Sequence, residues 1–281
     1  MSDLDSGLYL VSTPIGHARD ITLRAIDVLR DASQIAAEDT RSLLRLLTIH
    51  GINLNQRQLI SYHDFSSKNK LQTIIREIKS GLSIAMVSEA GTPLISDPGF
   101  KLVNEAIRHQ LPVIPIPGPT APITALTISG LGSDQFHFVG FLPTTSAKRR
   151  KTLERMKFTG ATLIFFESPN RLYKSLCDME EVFGADRKVA ICRELTKRHE
   201  ETTRGTIMQQ KNNYQGRIVK GEVVIVVERN QNVGFEENID EILALALTHK
   251  SLKEAVREVS ETLGLSRKSV YQKALMLTKG Q

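Results

Sequence analysis

Short, almost wholly apolar runs recur along this chain, and each stops at a loop rich in Gly and Pro. LYLVS (8–12) meets Thr13-Pro14-Ile15-Gly16. SIAMVS (83–88) runs into EAGTPLISDPG (89–99), and VIPI (113–116) into Pro117-Gly118-Pro119. A strand that is apolar throughout is covered on both faces, which is the situation of parallel strands under crossover helices. Between the runs, apolar residues take helical spacing. Ile21, Ala25, Ile26, Val28 and Leu29 follow Asp20 as a candidate N-cap, and further helices are predicted over 40–47, 66–79 and 100–109. With another short apolar piece at 34–37, strands alternate with helices, which predicts a parallel α/β sheet.

Pro115, Pro117, Pro119 and Pro122 crowd one short region, and three of them occupy alternate positions. That suits an extended segment and no helix. The pattern starts afresh beyond it: a helix from Thr120, a strand over 136–140, a basic helix over 147–157, strands over 161–166, 188–193 and 222–228, and a helix after Pro169. Residues 230–238 are polar and read as a linker. Three short helices follow over 239–247, 252–263 and 266–277, with Gly264 ending the second and Ser266 capping the third. The expected organisation is an N-terminal α/β domain (1–118), a C-terminal α/β domain (119–230) and a helical tail (231–281) that resembles a helix-turn-helix.

Composition narrows the class. Of 281 residues, 41% are hydrophobic and 24% charged, which excludes collagen-like and wholly disordered chains. Two cysteines, Cys177 and Cys192, are too few for a secreted disulfide framework or a Cys-rich zinc site. The polar start MSDLDSG is unlike a signal peptide, and no apolar stretch approaches a membrane span. The expectation is a soluble cytoplasmic protein with no membrane partner. The net charge is +6, and its placement is uneven: Lys148, Arg149, Arg150, Lys151, Arg155 and Lys157 are opposed only by Glu154. Such a cluster is either a solvated helix face or a phosphate-backbone contact.

The loops carry the candidate chemistry, because ligands bind at the carboxyl ends of parallel strands. Loop 13–17 is neither G-x-G-x-x-G nor G-x-x-x-x-G-K-[ST], so ordinary dinucleotide and P-loop sites lack their phosphate-cradling residues. Loop 88–99 is a stiff backbone path flanked by Glu89 and Asp97. Its Asp97-Pro98-Gly99 also reads as a turn into a helix with Pro at the first position. In FFESPNR (165–171), Ser168 and Pro169 suit an N-cap and a first helical residue. The charged segment 193–201 lacks the H-E-x-x-H spacing of zinc hydrolases, and no metal is expected.

TPIGHARDIT (13–22), AEDTR (37–41), SYH (61–63), SEAGTPLISDPG (88–99), PGPTA (117–121), FFESPNR (165–171), CRELTKRHEE (192–201) and GE (221–222) occur in one order. As a set they closely resemble the ribosomal RNA small subunit methyltransferase I family of the tetrapyrrole methylase superfamily, over about residues 8–228. His17 stands where that family usually has Asn, and Glu89 where it usually has Asp. The resemblance implies two α/β domains with S-adenosylmethionine in the cleft between them. It implies methyl transfer to the ribose 2′-oxygen of a cytidine in the decoding region of small-subunit rRNA, and a homodimer.

A site that over-stabilises the donor's sulfonium charge would oppose transfer. Backbone and apolar groups are therefore expected around the cofactor: Pro14, Gly16, Gly91, Thr92, Leu94, Ile95, Pro119, Thr120 and Ala121, with Phe166 beside the adenine. Glu89, Asp97 and Glu194 are the candidate bases for the acceptor hydroxyl, with Asp39 and His63 behind them. Lys148, Arg149, Arg150, Lys151, Arg171, Arg193, Lys197 and Arg198 are expected to meet phosphates. Two other readings stand beside this one. The first is a C-methyltransferase acting on a porphyrin or corrin precursor. The second is a DNA-binding regulator using Arg267, Lys268, Ser269 and Gln272, which leaves the α/β structure without a role.

Overall fold

The computed structural model describes residues 4–63, 68–230, 237–263 and 266–279. The chain divides into two compact units. The first is built from residues up to Ile128 together with Cys192–Thr202 and Gly221–Val224, and the second from the remainder.

In the first unit the order is β1 (Gly7–Val11), α1 (Leu23–Asp31), β2 (Gln34–Ala37), α2 (Thr40–Ile49), β3 (Leu59–Ser61), α3 (Lys68–Lys79), β4 (Ser83–Val87), α4 (Phe100–Arg108), β5 (Val113–Ile116) and α5 (Ala121–Ser129). The five strands form one sheet in the order β3-β2-β4-β1-β5, and every pairing is parallel. The apolar runs are explained by cover on both faces. Tyr9, Val11, Ile35, Ala37, Ala85 and Val87 pack against Ala25, Val28, Leu29, Leu43 and Leu47 of α1 and α2. The alternate residues Leu8, Ala36, Ile84 and Met86 pack against Ile74, Ile75, Ile78, Leu102 and Ala106 of α3 and α4. Each large side chain buried this way contributes about 1.5–3 kcal/mol.

Helix starts depart from expectation in two places. Thr22, not Asp20, caps α1, its side chain accepting from the Ala25 amide. The Asp20 amide instead donates to the His17 carbonyl, inside the loop. Gly99 (φ 126°) is the residue at the cap of α4, so Pro98 lies outside the helix. Met86 Cε occupies the place a Cβ at Gly99 would take.

The second unit continues with β6 (Phe136–Phe141), α6 (Ser146–Met156), β7 (Thr162–Glu167), α7 (Leu172–Phe183), β8 (Lys188–Arg193), β9 (Glu201–Thr206), α8 (Ile207–Tyr214), β10 (Val223–Val227), α9 (Glu237–Leu247), α10 (Leu252–Leu263) and α11 (Arg267–Lys279), although Cys192–Arg193, Glu201–Thr202 and Val223–Val224 of its strands belong to the first. Its sheet runs β6-β7-β10-β8-β9. Ser168 and Pro169 begin a short 3₁₀ turn, not α7 itself, and Ser168 makes no side-chain cap bond. The last three helices pack on one another through Ile239, Leu243, Val256, Val259, Val270 and Ala274. The expected linker lies largely outside the described residues, as do Gly264 and the helix start at Ser66. Among the described residues no helix is long and apolar enough to cross a membrane.

The basic helix α6 uses one of its charges inside the fold. Arg149 is 2% exposed, and its Nε donates to Asp178 Oδ2 of α7 at 2.6 Å. Its Nη1 reaches the carbonyls of Pro143 and Thr144, and Ser146 Oγ holds the other Asp178 oxygen at 2.7 Å. The expectation that Arg149 meets phosphate is therefore corrected, because every direction of its fork is spent on the protein. Removing one partner of a buried ion pair strands the other charge. Asp178→Ala is expected to lower unfolding stability by about 3–5 kcal/mol, read from denaturant midpoints at constant slope.

Candidate active site

The connection from β1 leads past β4 to β2, whereas the connection from β4 leads across β1 to β5. The sheet therefore changes winding direction between β1 and β4, and a ligand crevice is expected outside their carboxyl ends. The loops leaving those ends are tied to each other. Thr13 and Gly91 exchange backbone hydrogen bonds of 2.9 and 3.0 Å in an isolated antiparallel bridge. Thr92 Oγ1 donates to the Pro119 carbonyl at 3.1 Å, so it accepts the Ser12 hydroxyl proton across a further 3.1 Å. One hydroxyl thus joins the loops after β1, β4 and β5.

Glycine is required at two of these contacts. Gly91 has φ 80°, which lets the loop reverse to meet Thr13. A Cβ on Gly118 would come within 2.7 Å of Ser12 Cβ. Two non-glycine residues of the same loop, Leu94 (φ 73°) and Ser96 (φ 66°), are also left-handed. Such conformations cost about 1–3 kcal/mol each and persist where surrounding structure holds them.

Thr13, Gly91, Thr92 and Pro119 are brought together by these bonds, and Pro14 follows Thr13 in the chain. Leu94 and Ile95 lie farther along the β4 loop, where Ile95 N–H donates to the Thr92 carbonyl. Thr120 and Ala121 open α5, whose first amides have no intrahelical acceptor. Gly16 is packed closely as well. A Cβ there would meet Thr196 Oγ1 at 2.5 Å and Lys197 Cγ at 2.6 Å, and the His17 amide donates to Thr196 Oγ1. The part of the wall that Pro14, Gly91, Thr92, Pro119, Thr120 and Ala121 contribute is uncharged and rich in backbone groups, while Glu89 and Asp97 stand on the same β4 loop. The wall also contains Thr13 Oγ1, on a side chain 3% exposed and without a hydrogen-bond partner. A buried hydroxyl is a donor that needs an acceptor, and this set fits a cofactor held by neutral contacts.

Asp97 closes the same loop. Burial, reinforced by the negative charge of Glu38, pushes its carboxyl up to about 6, with Glu89 and Glu222 adding to the rise and a hydrogen bond from Ser88 opposing it. Glu38 follows β2 directly, and its Oε2 accepts from the Glu89 amide at 3.4 Å. A carboxyl that titrates near neutrality is suited to exchanging protons.

Glu194 is differently placed. Burial works to raise its carboxyl, but the Glu222 amide and the Lys197 ammonium, each 3.0 Å from Oε1, outweigh it and hold it below the usual range. Lys197 also pairs with Glu222 at 3.1 Å. Gly221 (φ 86°) leaves the room that the Glu194 carboxylate fills. This network positions a loop, since both Glu194 and Lys197 have committed partners. Asp39 caps α2, accepting from the Arg41 and Ser42 amides. His63 is exposed beyond β3.

In the second unit Phe166 meets Phe138 and Phe141 edge-on. Arg171 pairs with buried Glu167 at 2.6 Å and Arg150 with Glu181, while in the first unit Arg193 pairs with Glu201 at 3.0 Å. Lys148, Lys151, Arg155 and Lys157 are exposed. The first three recur at the spacing of a single helix face. Sequence reasoning missed Ser12, Thr13, Glu38, Gly118 and Glu222. The first three stand at strand carboxyl ends, a position that could have flagged them. Gly118 and Glu222 have no sequence signal beyond lying within the PGPTA and GE segments.

The family model for Tetrapyrrole (Corrin/Porphyrin) Methylases matches residues 7–210, and that for the RsmI C-terminal HTH domain matches 234–278. A protein of Mesorhizobium japonicum named ribosomal RNA small subunit methyltransferase I is 44% identical over 276 residues, covering 98% of this chain and 93% of its own. Among solved structures, the methyltransferase CobJ aligns with a TM-score of 0.62 at 14% identity, over 82% of this chain and 97% of its own. Uroporphyrin-III C-methyl transferase of Thermus thermophilus, complexed with S-adenyl homocysteine, aligns with a TM-score of 0.56 at 17% identity, over 78% and 96%. The two structures share the fold with this chain. The paired sheets, the loop set and the full-length similarity lead to one conclusion: the chain belongs to the ribosomal RNA small subunit methyltransferase I family, within the tetrapyrrole methylases.

Proposed function

We propose that the protein methylates the ribose 2′-oxygen of a cytidine in the decoding region of small-subunit rRNA, with S-adenosylmethionine as donor. The observation that carries this reading is the cross-tied set of loops at the ends of β1, β4 and β5, with Asp97 at its border. Pro14, Gly91, Thr92, Leu94, Ile95, Pro119, Thr120 and Ala121 would hold the donor. When bound, S-adenosylmethionine supplies an electrophilic methyl group on a sulfonium. Holding the donor by backbone and hydroxyl groups, with no carboxylate bonded to the sulfonium, keeps binding from being spent against transfer.

Asp97 takes the 2′-hydroxyl proton as the oxygen gains the methyl. A positioned base of this kind adds about 10²–10⁴-fold, and alignment of the acceptor oxygen supplies much of the rest. Glu38 and Glu89 act on Asp97 through charge. Lys148, Lys151 and Arg155 face phosphates, and the helical tail adds further grip on the RNA. A cytoplasmic location fits the two free cysteines, and a homodimer is what the family resemblance implies.

Labelled donor, undermodified small ribosomal subunits, naked rRNA and a corrin precursor test the reading together. Label mapped to one ribose 2′-oxygen is the expected result, and label on the corrin precursor alone overturns it. The rate should show an acidic limb with a midpoint near 6, because Asp97 must be ionised to accept a proton. Glu38→Gln should move that midpoint down by removing a like charge, and Asp97→Asn should remove the limb and lower kcat by about 10²–10⁴-fold. Because the folded state holds the Asp97 proton more tightly, its contribution to stability is present below about 3.8 and is lost as pH rises through about 6. In thermal unfolding Asp97→Asn should therefore flatten that loss. Replacing Lys148, Lys151 and Arg155 together by Ala should make the dependence of RNA affinity on log salt shallower by about 2–3, which filter binding at several salt concentrations would read.

A further inference from the structure

The edge strand β6 carries three phenylalanines, Phe136, Phe138 and Phe141, and two of them are well exposed: Phe136 at 45% and Phe141 at 59%. Residue parity would put Phe138 and Phe141 on opposite faces. The register shifts between Phe138 and Gly140, so that Phe138 pairs with Ile164 but Phe141 pairs with Phe166. One extra residue in the strand reverses the parity, and Gly140, at φ 81°, supplies the backbone turn. As a result both rings meet Phe166, with centroids 4.9 and 5.4 Å away and interplanar angles of 69° and 61°. Phe141 is thus held edge-on from one side while remaining open to solvent.

Cations lie nearby in the chain. Arg171 Nη1 donates to the carbonyl of Leu142, the next residue, and is itself fixed by Glu167. Helix α6 starts a few residues later and exposes Lys148, Lys151 and Arg155. A rigid exposed ring at the end of β6, a few residues before the helix that exposes these cations, suits a ligand with flat faces and a polyanionic backbone. Single-stranded RNA has both features.

We infer that Phe141 is a stacking platform for an unpaired base of the rRNA segment the enzyme acts on, with the cations of α6 taking the adjoining phosphates. This rests on the rRNA reading above and adds a specific contact to it. The bulge at Gly140 is then the device that turns an edge-strand phenylalanine into a contact residue.

The chain contains no Trp, so Phe141→Trp introduces a single indole reporter. Titration of the full-length variant with a single-stranded RNA oligonucleotide of decoding-region sequence is expected to quench its emission to saturation, with no quenching by S-adenosylhomocysteine alone. Phe141→Ala is expected to weaken binding of the same oligonucleotide about 5- to 150-fold, the loss of one stacked base, at unchanged S-adenosylhomocysteine affinity. Absence of quenching while the wild type still methylates small subunits would overturn the inference and leave the function standing. An emission shift that follows protein concentration without RNA would assign the ring to contact between two copies. Equal loss of cofactor affinity in Phe141→Ala, without quenching in Phe141→Trp, would make the ring a support for Phe166 only. If the wild type labels no rRNA, the functional reading fails and this inference fails with it.

Discussion

The reciprocal backbone bonds between Thr13 and Gly91 are the constraint on which the site depends. β1 and β4 run parallel, yet the loops leaving them pair antiparallel, so one loop must turn back on itself. Gly91 provides the turn through a conformation that other residues rarely adopt. Once the bridge is formed, buried backbone groups that would otherwise lie open at the strand ends are paired. Ser12, Thr92 and the Pro119 carbonyl then extend the tie to the loop after β5. The crevice dictated by strand order is thereby given a fixed wall.

Charge is handled differently in different parts of the chain. At Asp97 burial, reinforced by the charges of Glu38, Glu89 and Glu222, leaves a carboxyl poised near neutrality. Around Glu194 the same residue type is neutralised by Lys197 and serves loop geometry. In α6 adjacent arginines diverge: Arg149 is sealed against Asp178, while Arg150 stays at the surface with Glu181. Helical periodicity alone decides this, since Arg149 falls on the face shared with Leu153, which packs inward. A basic run in a sequence therefore overstates the charge available to a ligand.

Much of the first sheet was legible because its strands are covered on both faces. β1, β2, β4 and β5 announce themselves as apolar runs, whereas the capping of α2 by Asp39 emerges only in the structure. β3 was missed because Leu59–Ser61 is too short to show a period. β9 was missed because ETTRGT is polar, as a partly exposed strand at the edge of a sheet can be. α8 did carry a readable signal in the capping box of Thr206 and Gln209. The loop residues of the site were legible as motifs, but their division of labour was not. Gly16, Glu194 and Lys197 read as ligand residues in sequence, and in the structure they also pack or pair within the protein. That outcome depends on contacts between segments nearly 180 residues apart, such as the bond from the His17 amide to Thr196.

The central claim is that the loops after β1, β4 and β5 act as one cradle for the methyl donor. Amide hydrogen exchange with and without S-adenosylhomocysteine tests it most directly. The account predicts slowed exchange concentrated in residues 13–17, 88–97 and 117–121. Protection confined to other segments, with these three loops unchanged at saturating ligand, would contradict it.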